Sequence, residues 1–434
     1  MLVVSKFGGS SLANATQFAK VKKIIDNDSL RKVVVVSAIG KEDKTDNKIT
    51  DLLYLLSAHI RYGVDGSHLW EQIYNRYNKV KTDLGLSLDL EKEFIEIKNK
   101  LSQFYDESYL VSRGEYLSAK LMSEYLDYEF VDASKLFAFD YHGKIDINKT
   151  NANINYYIKP HHKVVVPGFY GINPDGSIKL FSRGGSDVTG ALLAAGLKAS
   201  KYENFTDVDG ILMADPKIIN SPKQIKELNY DELRELSYMG ASVIHEDTLF
   251  PVIEDNIPIH ILNTNNPFGI GTIICKKAND QEQVITGITG KKNYHSLTIV
   301  KAKQADKLAI ICDALNIFKR YNIIVEHMPT SIDSFSIVFE ECPSDKLFAI
   351  ISEIKGLENV IDVSIDNDIA LVAIVGRNMV TKPGISGKIF GILGEANINI
   401  KMIAQGALEL TIVIGVSNDN FNQTIKELYK NLVK

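Results

Sequence analysis

The C-terminal third of the chain repeats itself, without a gap, at an offset of 75 positions. Phe318-Lys-Arg-Tyr-Asn-Ile-Ile-Val325 aligns with Leu393-Gly-Glu-Ala-Asn-Ile-Asn-Ile400. Phe335–Phe339 aligns with Leu410–Ile414, and Leu297–Val300 with Val372–Val375. Such self-similarity means one supersecondary unit per copy. Each copy reads strand, helix, strand, strand, helix, a ferredoxin-like βαββαβ pattern. The first copy closes with a further strand, Val360–Ile365, but the second reaches Lys434 before one. A sheet that lacks a strand leaves an unpaired edge. The spare strand is Gln283-Val-Ile-Thr-Gly-Ile288, so 283–288 is expected to join the second copy's sheet and interleave the two modules.

Ahead of the repeat, short β-branched runs alternate with longer helical patterns, which marks an α/β layer fold. Strands are predicted at Leu2–Phe7, Lys32–Ala38, Lys163–Phe169, Ile178–Phe181, Lys201–Thr206, Ile257–Leu262 and Thr272–Cys275. The valine runs after Lys32 and Lys163 do not alternate, so they read as central strands buried on both faces. Helices are predicted at Ala15–Asp26, Thr50–Ile60, Gly66–Asp83, Leu90–Tyr105, Gly114–Tyr125, Ser186–Leu197 and Asp231–Leu236.

With 434 residues, 45% of them hydrophobic, the chain has material for several packed cores. A net charge of -5 argues against a nucleic-acid partner. No apolar run approaches the ~20 residues that span a bilayer, and the start Met-Leu-Val-Val-Ser-Lys does not read as a signal peptide. The three cysteines have no metal-ligand spacing and read as reduced thiols in a cytoplasmic protein.

Four short motifs carry the chemistry. Lys6-Phe-Gly8-Gly9-Ser10-Ser11 lies where a strand turns into a helix. It is either an ordinary glycine turn or a place where backbone N–H groups approach a phosphate, with Lys6 as a point charge. Ser182-Arg183-Gly184-Gly185-Ser186-Asp187 is a second such junction. Ser186 or Asp187 could cap the following helix; alternatively Asp187 orients Lys6 and Arg183 grips a carboxylate. Ser112-Arg113-Gly114-Glu115 is expected at the start of a helix. There Glu115 either favours the helix dipole or receives a substrate ammonium. Thr206-Asp207-Val-Asp209-Gly210 follows a strand, at the edge where open α/β sheets bind ligands. His142, His161 and His162 read as surface or structural, and Trp70 as core. The charged loop Gly40–Lys48 reads as either a solvated loop or a lid.

Taken together, these motifs and the tandem C-terminal modules resemble the aspartokinases, a branch of the amino-acid kinase family. The resemblance covers essentially the whole chain. It implies an α/β fold: an amino-acid-kinase-like, three-layer α/β/α catalytic domain followed by two ferredoxin-like (βαββαβ) ACT modules. The expected division is a catalytic domain at 1–276, a linker with a donated strand at 277–295, and ACT modules at 296–367 and 368–434. The implied reaction transfers the γ-phosphoryl of ATP to the β-carboxylate of L-aspartate, with Mg2+ carried by ATP and no organic cofactor. Lys6 and Asp187 stand where the family has its catalytic pair. Ser37, Thr50, Glu115, Arg183 and Ser186 match the aspartate contacts. Lys6, Gly8, Gly9, Ser10, Thr206, Asp207, Asp215 and Lys217 match the nucleotide segments. Ser242 stands where a lysine is common, Glu246 where a proline is, and Lys217 where an arginine is, which implies a somewhat altered hold on ATP. The modules imply a homodimer or dimer of dimers and an amino-acid effector, L-lysine ahead of L-threonine, received near Met328, Ser331 and Asp333, with either Asp333 or Glu326 taking its ammonium. The chain stops after the second module, so the dehydrogenase fused to some aspartokinases is not expected. A kinase for glutamate or acetylglutamate would leave Glu115 and the paired modules unexplained. A degraded sensor would leave the retained Lys6, Glu115, Arg183 and Asp187 unexplained.

Overall fold

The computed structural model describes residues 2–433 except 44, 160, 183, 242–243, 245–248 and 279–283. The chain divides into two compact units. The first takes Met1–Ile211, Lys226–Tyr230 and Val243–Asn279; the second takes Leu212–Ile225, Asp231–Ser242 and Asp280–Lys434. This differs from a contiguous division at 276/277, because two stretches of the N-terminal sequence pack with the repeat. Ala214, Ile218 and Ile219 join one apolar cluster of the second unit, and Met239 joins another.

In chain order, the first part of the molecule contains β1 (Val3–Phe7), α1 (Ala15–Asp26), β2 (Arg31–Val36), α2 (Ile49–Arg61), α3 (Ser67–Asp83), α4 (Leu90–Gln103) and α5 (Glu107–Leu126). There follow β3 (Glu129–Phe130), α6 (Ala133–Leu136), α7 (Ile147–Tyr157), β4 (Val164–Pro167), β5 (Tyr170–Ile172), β6 (Ile178–Leu180), α8 (Gly185–Gly196) and β7 (Lys201–Thr206). Then come β8 (Glu227–Asn229), α9 (Tyr230–Tyr238), α10 (Phe250–Glu254), β9 (Ile259–Asn263) and β10 (Thr272–Cys275). Eight strands form one sheet in the order β3-β4-β2-β1-β7-β9-β10-β8. It is parallel from β3 to β9, and β10 runs antiparallel to β9. Val33–Val36 and Val164–Val166 are fully buried, as their unbroken apolar runs predict.

The register of β1 on β7 sorts side chains between two helical layers. Phe7 lies opposite Phe205, and the rings stack at 4.7 Å on the face covered by α1 to α5. Lys6 lies opposite Asn204 on the other face, which α8 covers. Helix and sheet meet closely there, because a Cβ on Gly190 would sit 2.5 Å from the Tyr202 ring.

Asp106 caps α5 by accepting from the Tyr109 N–H at 3.2 Å. The helix thus begins at Glu107, well before the expected Gly114, and Ser112–Glu115 lies in its interior rather than at its start. The dipole reading of Glu115 is thereby corrected, since a helix dipole acts within the terminal turns.

The second unit contains β11 (Gly287–Lys301), α11 (Lys307–Arg320), β12 (Val325–His327), β13 (Ser334–Glu340), α12 (Ser344–Lys355) and β14 (Val360–Val375). It ends with α13 (Ile385–Glu395), β15 (Met402–Gln405), β16 (Thr411–Val416) and α14 (Phe421–Leu432). Its six strands form one antiparallel sheet, β12-β13-β11-β14-β16-β15. The long strands β11 and β14 each run through both modules. Tyr294–Lys301 pairs with Val360–Ile369 in the first module, and Gly287–Lys291 pairs with Leu371–Val375 in the second. Both modules therefore have the same strand order. The pairing segment lies slightly beyond the expected 283–288, whose Gln283 falls outside the described residues. Within 277–295, expected to be a linker with a donated strand, the chain is sheet from Gly287 onward.

Candidate active site

The loops that leave β1, β2, β4 and β7 all emerge at the C-terminal edge of the parallel strands, where open α/β sheets bind ligands. Backbone bonds stitch them together. Ser37 N–H donates to Phe7 O at 3.2 Å, Gly168 N–H to Val36 O at 2.9 Å, and Gly40 N–H to Gly9 O at 3.0 Å. Glycine is required where they cross: a Cβ on Gly40 would lie 2.3 Å from Gly9 O. The Gly8 N–H is committed to Phe205 O at 3.1 Å, so this amide serves the turn rather than a phosphate. Gly9 and Ser10 begin a single 3-10 turn, Gly9–Leu12.

Lys6 is buried, and its Nζ lies 2.7 Å from Asp187 Oδ1. Asp187 sits in the first turn of α8, whose entry residue Gly184 has a φ of 53°, a left-handed conformation suited to glycine. The N-cap residue of this helix, Gly184, provides no side-chain cap. Asp187 therefore faces Lys6 instead of its own helix terminus, which decides between the two readings of this motif. Asn204 completes the group: it accepts from Lys6 Nζ at 3.3 Å and donates to Asp187 Oδ1 at 2.8 Å. Sequence reasoning missed Asn204; the signal available was a small amide in the middle of a predicted strand.

Ser37 Oγ donates to Ser186 Oγ at 2.9 Å, so two expected substrate contacts lie side by side. Ser186 rests against Gly168, where a Cβ would come within 2.5 Å of its Oγ. The preceding loop holds Phe169 at a φ of 80°, with its N–H bonded to Thr189 Oγ1 at 3.1 Å. Next to Ser37, Ala38 contacts α5 so closely that a Cβ on Gly114 would fall 2.9 Å from the Ala38 methyl. That contact brings Glu115 to the same edge. Ile49, at the start of α2, lies 3.6 Å from the same Gly114 position, and the half-buried Thr50 follows it in the first turn of that helix.

Glu115 is 5% exposed, and its Oε2 has no hydrogen-bond partner among the described residues. Burial pushes its carboxyl up to about 8, against an ordinary 4.5; the Ala38 N–H and the Arg113 charge pull only weakly the other way. Arg113 itself is buried between the Tyr109 and Tyr116 rings, 4.4 and 4.3 Å from their centroids. The site thus contains a lysine held by Asp187 at one point and, at another, a buried carboxyl that burial keeps protonated until a positive partner arrives.

The remaining expected residues are more dispersed. Thr206 ends β7, and its hydroxyl donates to Asp207 Oδ1 at 3.1 Å. Asp215 and Lys217 belong to the second unit, where the Lys217 N–H donates to Asp215 Oδ1 at 2.8 Å. Arg183, Ser242, His245 and Glu246 lie outside the described residues. The 40–48 loop is tied to α3, with Arg76 on Asp46 at 2.6 Å and on Gly40 O at 2.5 Å. In the first C-terminal module, Lys301 Nζ approaches Asp333 at 3.5 Å and Lys307 Nζ donates to Ser331 O at 3.1 Å. Met328 packs at the edge of that module's core, and Glu326 accepts from the Tyr238 hydroxyl.

The amino acid kinase family model matches residues 1–263, and an ACT domain model matches residues 372–432. Aspartokinase 3 of Bacillus subtilis is 33% identical over 445 residues, which cover 98% of each chain. The chain belongs to the aspartokinases of the amino acid kinase family. The crystal structure of Clostridium acetobutylicum aspartate kinase matches with a TM-score of 0.92 and 42% identity, over 99% of both chains. Aspartokinase III of Escherichia coli matches over 100% of both chains in two states, each with a TM-score of 0.78. One is an R-state complex with aspartate and ADP, at 26% identity; the other is a T-state complex with lysine and aspartate, at 25%. No described helix is long and apolar enough to cross a membrane.

Proposed function

We propose that the cluster at the C-terminal edge of the first unit's sheet performs the aspartokinase reaction with Lys6 on the transferring phosphoryl group and Glu115 on the substrate ammonium. The activity is ATP-dependent phosphorylation of aspartate, giving 4-phospho-L-aspartate, the first step of aspartate-family amino-acid synthesis. The observation that carries the division of roles is the buried Glu115 carboxyl, which meets the Ala38 backbone and has one oxygen without a partner among the described residues, set beside the pairing of Lys6 with Asp187.

The chemistry needs no general base. A substrate carboxylate with a pKa near 4 is ionised at pH 7 and is itself the nucleophile. The enzyme supplies in-line positioning and charge neutralisation. Asp187 keeps Lys6 paired and oriented. Ser37, Ser186 and Thr50 line the aspartate side, and Arg183 is assigned to a substrate carboxylate. Thr206, Asp207, Asp215 and Lys217 are assigned to the nucleotide, and magnesium enters with it as MgATP. Ser242, in place of a lysine, is taken to alter the hold on ATP.

L-Lysine is our choice of effector, supported by the lysine complex of the Escherichia coli relative. Met328, Ser331 and Asp333 are the residues assigned to it. Pairing of two copies through the modules, as a dimer or dimer of dimers, is supported by the open edge strands β12 and β15 and by exposed Ile324, Ile332 and Ile403. Three free cysteines support a cytoplasmic location.

The test is a steady-state assay with ATP, magnesium and L-aspartate, trapping the acyl phosphate with hydroxylamine, with and without L-lysine or L-threonine. Aspartate-dependent hydroxamate suppressed by lysine supports both parts. Activity indifferent to both amino acids removes the effector assignment. Hydroxamate formed equally well from glutamate removes the substrate assignment.

A further inference from the structure

β7 places Asn204, 3% exposed, directly opposite Lys6 of β1. Ile261 of β9 flanks it on the other side, so the position is interior to the sheet. An apolar side chain is the ordinary occupant of such a place. Here both ends of the amide are used. Its Oδ1 accepts from Lys6 Nζ at 3.3 Å, and its Nδ2 donates to Asp187 Oδ1 at 2.8 Å. Lys6 reaches the same carboxylate oxygen at 2.7 Å, which closes a ring of three side chains. The partners also settle which end of the amide is which, because an ammonium cannot accept and a carboxylate cannot donate.

An ammonium has three N–H donors. With Asp187 as its sole partner, the Lys6 ammonium could turn about that one bond, and its remaining donors would sweep a cone. A second fixed bond, to Asn204, stops the rotation and sets the direction of the third N–H. We infer that Asn204 is a positioning residue for phosphoryl transfer, holding Lys6 and Asp187 so that the free Lys6 donor is aimed at the transferring group. This rests on the reading that Lys6 contacts that group; Asn204 itself acts only through its two neighbours.

Two variants and one double variant test it in the hydroxamate assay. Asn204→Leu, close in volume, removes both bonds. Its kcat is expected to fall about 10-fold, the scale of one or two lost hydrogen bonds, while the KM for aspartate moves less than twofold. Asn204→Asp keeps an acceptor for Lys6 but sets a second carboxylate against Asp187. Like charges raise the pKa of one of the pair, so the kcat of this variant, relative to the parent, is expected to recover as pH is lowered. In a Lys6→Ala background, Asn204→Leu is expected to add no further loss, since no ammonium remains to be aimed. A kcat within twofold of the parent for both single variants at every pH overturns the proposal. The same factor of loss with and without Lys6 also overturns it, because Asn204 would then be acting on the fold. A Lys6→Ala enzyme as fast as the parent would instead remove the underlying role of Lys6.

Discussion

Replacing Glu115 with glutamine removes a buried carboxyl that has an oxygen without a hydrogen-bond partner among the described residues. In the free enzyme, burial holds this carboxyl at about 8 rather than 4.5. The folded state therefore binds a proton that the unfolded state has already released, and stability falls as pH rises from 4.5 to 8. At pH 7 this one group costs the fold about 3 kcal/mol relative to a permanently neutral side chain. Glu115→Gln should thus melt higher than the parent at pH 8, and the difference should vanish near pH 4.5. Aspartate binding runs the other way. The substrate ammonium needs the ionised carboxylate, so binding must expel the proton. Between pH 6 and 8 the ionised fraction of a group with a pKa of 8 rises about 50-fold, and aspartate affinity should rise by a similar factor. Glu115→Gln should flatten that dependence and weaken binding at pH 8 on the order of 10²-fold, the scale of losing a buried charged partner. Titration calorimetry in buffers of different ionisation enthalpy reads both quantities. Nearly one proton released per aspartate at pH 7 is the expected result. No proton release together with an affinity flat in pH would refute the reasoning, whatever the variant's melting temperature.

Other outcomes follow from the same geometry. Lys6→Ala should lower kcat by on the order of 10²–10³-fold, as loss of a transition-state donor does, with hydroxamate formation as the readout. Gly40→Ala puts a methyl 2.3 Å from a backbone oxygen, so the Lys6 turn must move; a stability loss of about 1–3 kcal/mol and a lower kcat/KM are expected, and unchanged kinetics would mean the turn has slack. In the second unit, Arg377 pairs at 2.7 Å with the fully buried Glu232. Arg377→Met removes the guanidinium but leaves the Thr286 hydroxyl and the residue-377 N–H on Glu232, so about 3 kcal/mol should be lost in urea unfolding, and adding Glu232→Gln should recover part of it.

Local pattern carried much of the architecture. The unbroken valine runs announced β2 and β4 as central strands, because a strand buried on both faces has no polar side to alternate with. The 75-residue offset announced two equivalent modules, and the strand missing from the second announced the exchange. The glycine-bearing turns named Lys6, Ser186, Asp187 and Glu115 as residues to watch, since each sits where the chain must leave a strand or pack closely.

What the pattern left open depended on distant contacts. Glu115 reads equally well as a helix-start residue until Asp106 is seen to cap α5 eight residues before Gly114. Asp187 could cap α8 or serve Lys6; the packing of α8 on the sheet chose Lys6. Asn204 has no local signature at all, since only the register of two strands separated by 198 positions in sequence brings it to Lys6. Residues 212–225 and 231–242 carry no mark of belonging with the repeat, because that choice is made by apolar contacts with Ile288, Tyr294 and their neighbours. Periodicity and turn chemistry are decided within a few residues and can be read there. Strand register and the burial of a charge are sums over contacts made far apart in sequence, and they exist only once the sheet has closed around them.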